Sequence, residues 1–229
     1  MTTLAASSGT AVRVDAELEE PLSRWLWLVK WILLIPHYVV LFFLWIGFVA
    51  VSVVAFFAIL FTERYPRALF DFSLGVLRWS WRVAYYSYGA LGTDRYPPFS
   101  LGAEPGYPAR LDIAYPERLS RGLVLVKWWL LAIPHYVVLW FFLSGINLGW
   151  WGGGLVGVLV LIAAVTLAFT EEYPKSLFDL VLGLNRWVLR VAAYAGLMTD
   201  SYPPFRLDMG GAEPGTGTAG TAGAVRDQP

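Results

Sequence analysis

The chain has 229 residues, of which 57% are hydrophobic and 15% charged, and its 17 Lys and Arg balance its 17 Asp and Glu. That composition is far from the usual balance of a water-soluble domain, and zero net charge excludes the electrostatic footprint of a nucleic-acid binder. The absence of cysteine excludes a disulfide framework and a thiolate metal site.

Residues 1–11 read as a disordered N-terminus. Met1 to Glu20 has no basic region followed by an apolar core, so no cleaved signal peptide is expected there. From residue 12 the chain states one pattern twice, over 12–101 and 109–208, joined by a Gly- and Pro-rich linker at 102–108. The tail, 209–229, is rich in Gly, Ala and Thr and reads as disordered.

Each copy opens on a short extended piece, Val12 to Leu18 or Arg110 to Ala114, alternating in polarity as a strand does. A long apolar run follows, without charge from Trp31 to Thr62 and from Trp128 to Thr170. Both runs exceed the roughly 20 residues that span a bilayer. The second holds about ten extra residues around Ser144 to Gly153, opposite Trp45-Ile46-Gly47. Insertions belong in loops, which predicts a turn there and a hairpin in each copy. The predicted helices are Leu22 to Trp45 and Phe48 to Phe61, then Leu119 to Leu143 and Gly154 to Phe169.

Charge counting favours the same topology. Hairpins leave all 17 Lys and Arg on one face, whereas one crossing per run splits them 8 and 9. Only the first arrangement gives a positive-inside asymmetry, and it places both termini in the cytoplasm. Against it, Phe48 to Phe61 makes only about 21 Å of helix. The rival reading, one span from His37 to Phe61 with Pro36 at its start, stays open.

The next helix of each copy is opened by Pro66 or Pro174. It carries Arg67, Asp71, Arg78 and Arg82, repeated as Lys175, Asp179, Arg186 and Arg190, at spacings of 4, 7 and 4. These offsets make one charged stripe. An interfacial amphipathic helix is expected, with Arg78, Arg82, Arg186, Arg190, Trp79 and Trp187 contacting lipid headgroups or a partner. A solvated face is the plain alternative. Each copy ends on Tyr-Pro-Pro-Phe, where paired prolines hold the chain extended.

The combination Pro-His-Tyr, Phe-Thr-Glu-x-Tyr-Pro, Phe-Asp, Arg-Trp-x-x-Arg-Val and Asp-x-Tyr-Pro-Pro-Phe resembles a bacterial membrane-protein family, the domain of unknown function numbered 4389. The likeness covers about residues 12–101 and 109–208. It implies a bacterial inner-membrane protein, multi-pass by its two apolar runs, and brings no activity with it. Glu172 replaces Arg64 and Ser201 replaces Arg95 in the second copy.

Other motifs weigh less. Gly215 to Gly220 fits G-x-G-x-x-G but lies in the tail, without the strand and helix a dinucleotide site needs. His37 and His135 hold equivalent places. At a repeat interface they could share a metal, bind a ligand or relay a proton; structurally, each could bond a carbonyl freed by the neighbouring proline. Glu63 and Glu171 stand at the end of the apolar runs, while Asp71 and Asp179 suit i,i+4 pairing with Arg67 and Lys175. Gly149, Gly153 and Gly157, and Gly75 with Gly183, suit close helix packing.

The expected fold is an all-α integral membrane protein. Two tandem repeats each hold a transmembrane hairpin and an interfacial amphipathic helix, with short extended cytoplasmic segments. The expected role is a non-enzymatic scaffold or accessory subunit whose partners are membrane lipids, a membrane protein or a second copy. The alternative is a small oligomeric transporter or channel with His37 and His135 at the repeat interface. No catalytic residue, metal or cofactor is expected.

Overall fold

The computed structural model describes residues 11–143 and 154–210. In chain order it holds β1 (Val12–Ala16), a 3₁₀ turn at Leu26–Leu28, α1 (Lys30–Leu33), α2 (Ile35–Thr62), α3 (Arg67–Tyr86) and β2 (Ala109–Ile113). Then follow α4 (Arg121–Val126), a π turn at Lys127–Leu131, α5 (Ile133–Leu143), α6 (Leu155–Thr170) and α7 (Lys175–Ala195).

The first apolar run is not a hairpin. α2 continues through Trp45-Ile46-Gly47 for 28 residues, as the single-helix alternative has it. Pro36 sits in its first turn, where a missing N–H costs nothing. Gly47 costs some helix propensity, but its bare face takes the Phe72 ring, which would lie 3.1 Å from an added Cβ. The Trp45 indole donates to the Ser80 hydroxyl at 3.1 Å, tying mid-helix to α3. In the second repeat α5 and α6 are the counterparts of the two halves of α2. The turn expected at Ser144 to Gly153 falls outside the described residues, with Gly149 and Gly153.

One residue more separates Lys127 from His135 than Lys30 from His37. The π turn takes it up, since a wider turn absorbs a single insertion without breaking the helix.

α2 and α6 end alike. Glu63 (φ 60°) and Glu171 (φ 64°) close them in the left-handed region, each N–H returning to the carbonyl four residues back, Ile59 or Leu167. That conformation costs a non-glycine residue roughly 1–2 kcal/mol. Pro66 and Pro174 then cap α3 and α7 as the residues just before the first helical turn.

The extended pieces pair with each other. β1 and β2 form an antiparallel ribbon in which Arg13 faces Asp112, Asp15 faces Arg110 and Val14 faces Leu111. Alternation puts Val12, Val14, Ala16, Ala109, Leu111 and Ile113 on its buried face. The packing is crossed: β2 of the second repeat lies on α3 of the first, and β1 of the first lies on α7 of the second.

Gly75 and Gly183 do not seat another helix. An added Cβ at Gly75 would meet the Leu101 backbone oxygen at 2.9 Å, and one at Gly183 the Met209 side chain at 3.3 Å. The chain after each Tyr-Pro-Pro-Phe passes there.

Two stretches, Ile35–Thr62 and Arg121–Trp140, are long and apolar enough to cross a membrane. Only 17% of the most apolar window of α2 is buried.

Candidate functional site

The chemistry-bearing side chains gather where the repeats meet. The lead into each repeat reaches the end of the other repeat's long helix. Arg24 Nη1 lies 2.7 Å from Glu171 Oε1, and Arg121 Nε lies 3.0 Å from Glu63 Oε1. The same two guanidiniums donate to the carbonyls of Ala168 and Phe61. All four side chains are well exposed, so each pair contributes no more than about 1 kcal/mol. What they supply is register: two equivalent contacts, one at each end.

Further in, Lys30 and Lys127 are buried. Lys30 Nζ donates to the Thr93 carbonyl at 2.7 Å and pairs with Asp94 Oδ1 at 3.0 Å. Lys127 Nζ donates to Thr199 at 3.0 Å and pairs with Asp200 Oδ1 at 2.8 Å. The second oxygen of each aspartate accepts the N–H of Ser23 or Ser120. Tyr86 and Tyr194 present ring faces to these ammoniums, 4.5 Å and 5.6 Å from the centroids. A buried ammonium is tolerated because a carbonyl, a carboxylate and a ring face meet it.

The arginine stripes turn inward, which corrects the headgroup reading of Arg78, Arg82, Arg186 and Arg190. Arg78 Nε donates to the Leu111 carbonyl of β2 at 2.9 Å and its Nη2 pairs with Asp112. Arg186, fully buried, donates to Val14 of β1 at 2.8 Å and to Asp208 and Gly210 at 2.6 Å each. The two residues are equivalents, and each binds the other repeat's strand. Arg82 donates to the carbonyls of Ser100 and Gly102, and Arg190 pairs with Asp208 at 2.7 Å. Spacings of 4, 7 and 4 show that charges share a face. They do not show whether water or the edge of a ribbon meets that face. Burial draws the Arg82 guanidinium below the usual arginine range, with Glu104 opposing.

His37 and His135 do not meet at a repeat interface. Each is buried in a cage from its own repeat, with Trp79 and Trp187 as walls. Phe99 stacks on His37 with centroids 3.9 Å apart, Tyr96 lies at 4.9 Å, and Trp79 Nε1 donates to Nδ1 at 3.0 Å. A neutral ring accepting at Nδ1 carries its proton on Nε2, which is buried without a hydrogen-bond partner. Phe205 stacks on His135 at 4.4 Å and Tyr202 lies at 4.8 Å. Trp187 Nε1 and both imidazole nitrogens of His135 are buried without a hydrogen bond. The Tyr-Pro-Pro-Phe motif is thereby explained: extended by its prolines, it lays two aromatic rings over the imidazole. Trp79→Phe should lower the melting temperature more than Trp187→Phe, because only Trp79 loses a hydrogen bond, worth about 1 kcal/mol. Thermal unfolding of the two variants in mild detergent checks this.

Two phenols also join the repeats: buried Tyr173 donates to Ala90 of the first at 2.9 Å, and half-buried Tyr115 of the second to the Tyr65 carbonyl. Within the first repeat, buried Tyr85 donates to Glu17 at 2.6 Å. Burial raises the pKa of Tyr85, Tyr107 and Tyr173 well above the usual tyrosine range. They remain protonated donors.

Glu63 and Glu171 are thus ion-pair partners, and Asp71 pairs with Arg67 at 3.1 Å as its spacing suggests. Among the described residues no group of three or more side chains is placed to hold a metal. A cavity of about 480 Å³ opens between α2 and the end of α7, lined by Phe48, Ser52, Phe56, Trp128, Ala192 and Leu197. Its lining is almost wholly apolar, so it can take hydrocarbon but offers no acid, base or nucleophile. Sequence reasoning does not single out Arg24, Lys30, Asp94, Arg121, Lys127 or Asp200. Their equivalent places in the two copies are the signal that could find them.

The family described as Domain of unknown function (DUF4389) matches residues 24–100 and 124–206. No curated protein and no solved structure matches the chain.

Proposed function

We propose, from the premise that this chain belongs to the DUF4389 family and carries its domain twice, that it is a non-enzymatic scaffold or accessory subunit. Its place is the bacterial inner membrane, with both termini in the cytoplasm. The observation that carries this reading is how the charged residues are used. The buried lysines are engaged within their own repeats, while Arg78 and Arg186 hold repeat to repeat. The remaining outer surface divides into a broad apolar side and a polar side. Phe42, Val49 and Phe57 are more than half exposed on the first. On the second, Asp112 and Glu17 are 72% and 73% exposed. An apolar side suits lipid, and a rigid charged ribbon suits a partner protein.

Photo-crosslinking in the native membrane tests the reading. A benzophenone side chain at Arg110 or Glu117, on the polar side, is expected to give one recurrent protein adduct, and at Val49 only lipid adducts. Absence of any protein adduct from the polar side would overturn the scaffold reading. So would ion or solute flux above empty vesicles when the purified chain is reconstituted.

A further inference from the structure

We propose that the long apolar helices do not cross the bilayer: α2 and the α5–α6 pair lie in the membrane plane, sunk into one leaflet. The inference rests on the membrane reading above and decides its topology.

The layer order carries it. α3 lies between α2 and the ribbon. Trp79 on one of its sides bonds His37 of α2, while Arg78 on another bonds Leu111 of β2. The contacts bracket the middle of α2: Phe72 meets Gly47 and the Ser80 hydroxyl accepts from Trp45, on either side of the Arg78 that bonds Leu111, the middle residue of β2. The charged ribbon therefore stands behind the middle of α2. Its outer side carries Asp112, Glu17 and Arg110 with side chains 72%, 73% and 49% exposed. Were α2 aligned with the bilayer normal, those charges would sit at mid-depth in hydrocarbon, where ionised groups are costly unless enclosed by protein.

The ends of the helices agree. The pairs Arg24–Glu171 and Arg121–Glu63 are equivalents in the two repeats. Single crossings would place one pair on each side of the bilayer with the ribbon halfway between. Laid flat, both pairs come to one water-facing level with the ribbon above them. The 16 Lys and Arg among the described residues then lie on one side of the membrane, the asymmetry that single crossings would destroy.

The apolar side has the shape for it. Phe42, Ile46, Val49, Val53, Phe57 and Phe61 are exposed along α2 at spacings of 3 and 4, the face opposite buried His37, Leu41, Phe48, Ala55 and Ile59. Leu161, Val165 and Phe169 continue the pattern on α6. At 28 residues α2 is about 42 Å long, longer than a hydrocarbon core of about 30 Å. Exposed Trp25, Trp31 and Trp128 edge this surface, and tryptophan favours the boundary between acyl chains and water. The occupant is therefore a phospholipid leaflet rather than a second copy.

The cysteine-free chain allows a direct test. Ser23→Cys precedes α2, Glu117→Cys follows it and Ser201→Cys follows α6; all three positions are exposed. With a membrane-impermeant maleimide on right-side-out and inverted vesicles, all three should label from the same side. Labelling of Glu117→Cys from the side opposite the other two would overturn the proposal and leave the membrane reading intact. Recovery of the protein in the soluble fraction would overturn the membrane reading itself. Spin labels at Phe42, Val49 and Phe57 add a depth measurement by oxygen and nickel collision. The depths should agree within about one helical turn, ~5 Å. A maximum at Val49 with shallow ends means crossing. Spin–spin coupling between molecules at these sites means the face is covered by a second copy. Either result overturns the proposal.

Discussion

Alanine at Arg186 should destabilise the fold by about 3–5 kcal/mol, the scale on which buried charged networks fail when one partner is removed. The side chain is fully buried, and its loss strands the carbonyls of Val14, Asp208 and Gly210. Unpaired buried acceptors cost about 1–3 kcal/mol each, less whatever water re-enters. The equivalent Arg78→Ala should cost about half as much. Arg78 is 19% exposed, and the Leu111 carbonyl and Asp112 it leaves are nearer to water. Arg186→Lys should recover little, because an ammonium donates from one nitrogen and cannot span acceptors that Nε and Nη1 of the guanidinium reach separately. Guanidinium unfolding in mild detergent orders the three variants. Equal midpoints for Arg186→Ala and Arg78→Ala would show that the buried network contributes no more than the rim.

Asp94→Ala should be comparably severe, about 3–5 kcal/mol, because it leaves the Lys30 ammonium buried with only the Thr93 carbonyl and the Tyr86 ring. The Ser23 N–H loses its acceptor too. Lys30→Met in the same chain should recover part of that loss. Methionine fills a similar volume and needs no counter-ion, and buried ion pairs are often replaceable by packed apolar groups. The double variant being less stable than Asp94→Ala alone would mean that Lys30 has another partner of comparable strength. Asp200→Ala with Lys127→Met gives the same comparison in the second repeat.

Local signals in the sequence located most elements. Proline opened α3 and α7, alternation marked β1 and β2, and repetition identified the equivalent residues. The turn expected at Trp45-Ile46-Gly47 is absent. An insertion in the second copy carries no information about the first, where Gly47 fills a helical position against Phe72. The arginine stripes were found but turned the wrong way. Nothing in residues 67–86 records that Leu111, more than thirty positions later, supplies the acceptor for Arg78. The histidine cages were spread over three motifs of each copy, Pro-His-Tyr, Arg-Trp and Tyr-Pro-Pro-Phe. Only the fold brings these within reach of one imidazole.

The crossed packing of β1 on α7 and β2 on α3 bears on what half of this chain would do alone. An isolated repeat would carry one unpaired strand and an amphipathic helix with no strand over it, faces that another such repeat could satisfy reciprocally. That is the geometry of a two-fold dimer, in which residue i of one subunit meets residue j of the other and the reverse. Here the segment from Gly102 to Pro108 makes that association intramolecular. A short tether sets an effective concentration on the millimolar scale, so pairing of the halves no longer depends on how much protein is present. The tether also frees the halves to differ. Glu172 and Ser201 can depart from Arg64 and Arg95 without creating the mismatched homodimers that separate chains would form.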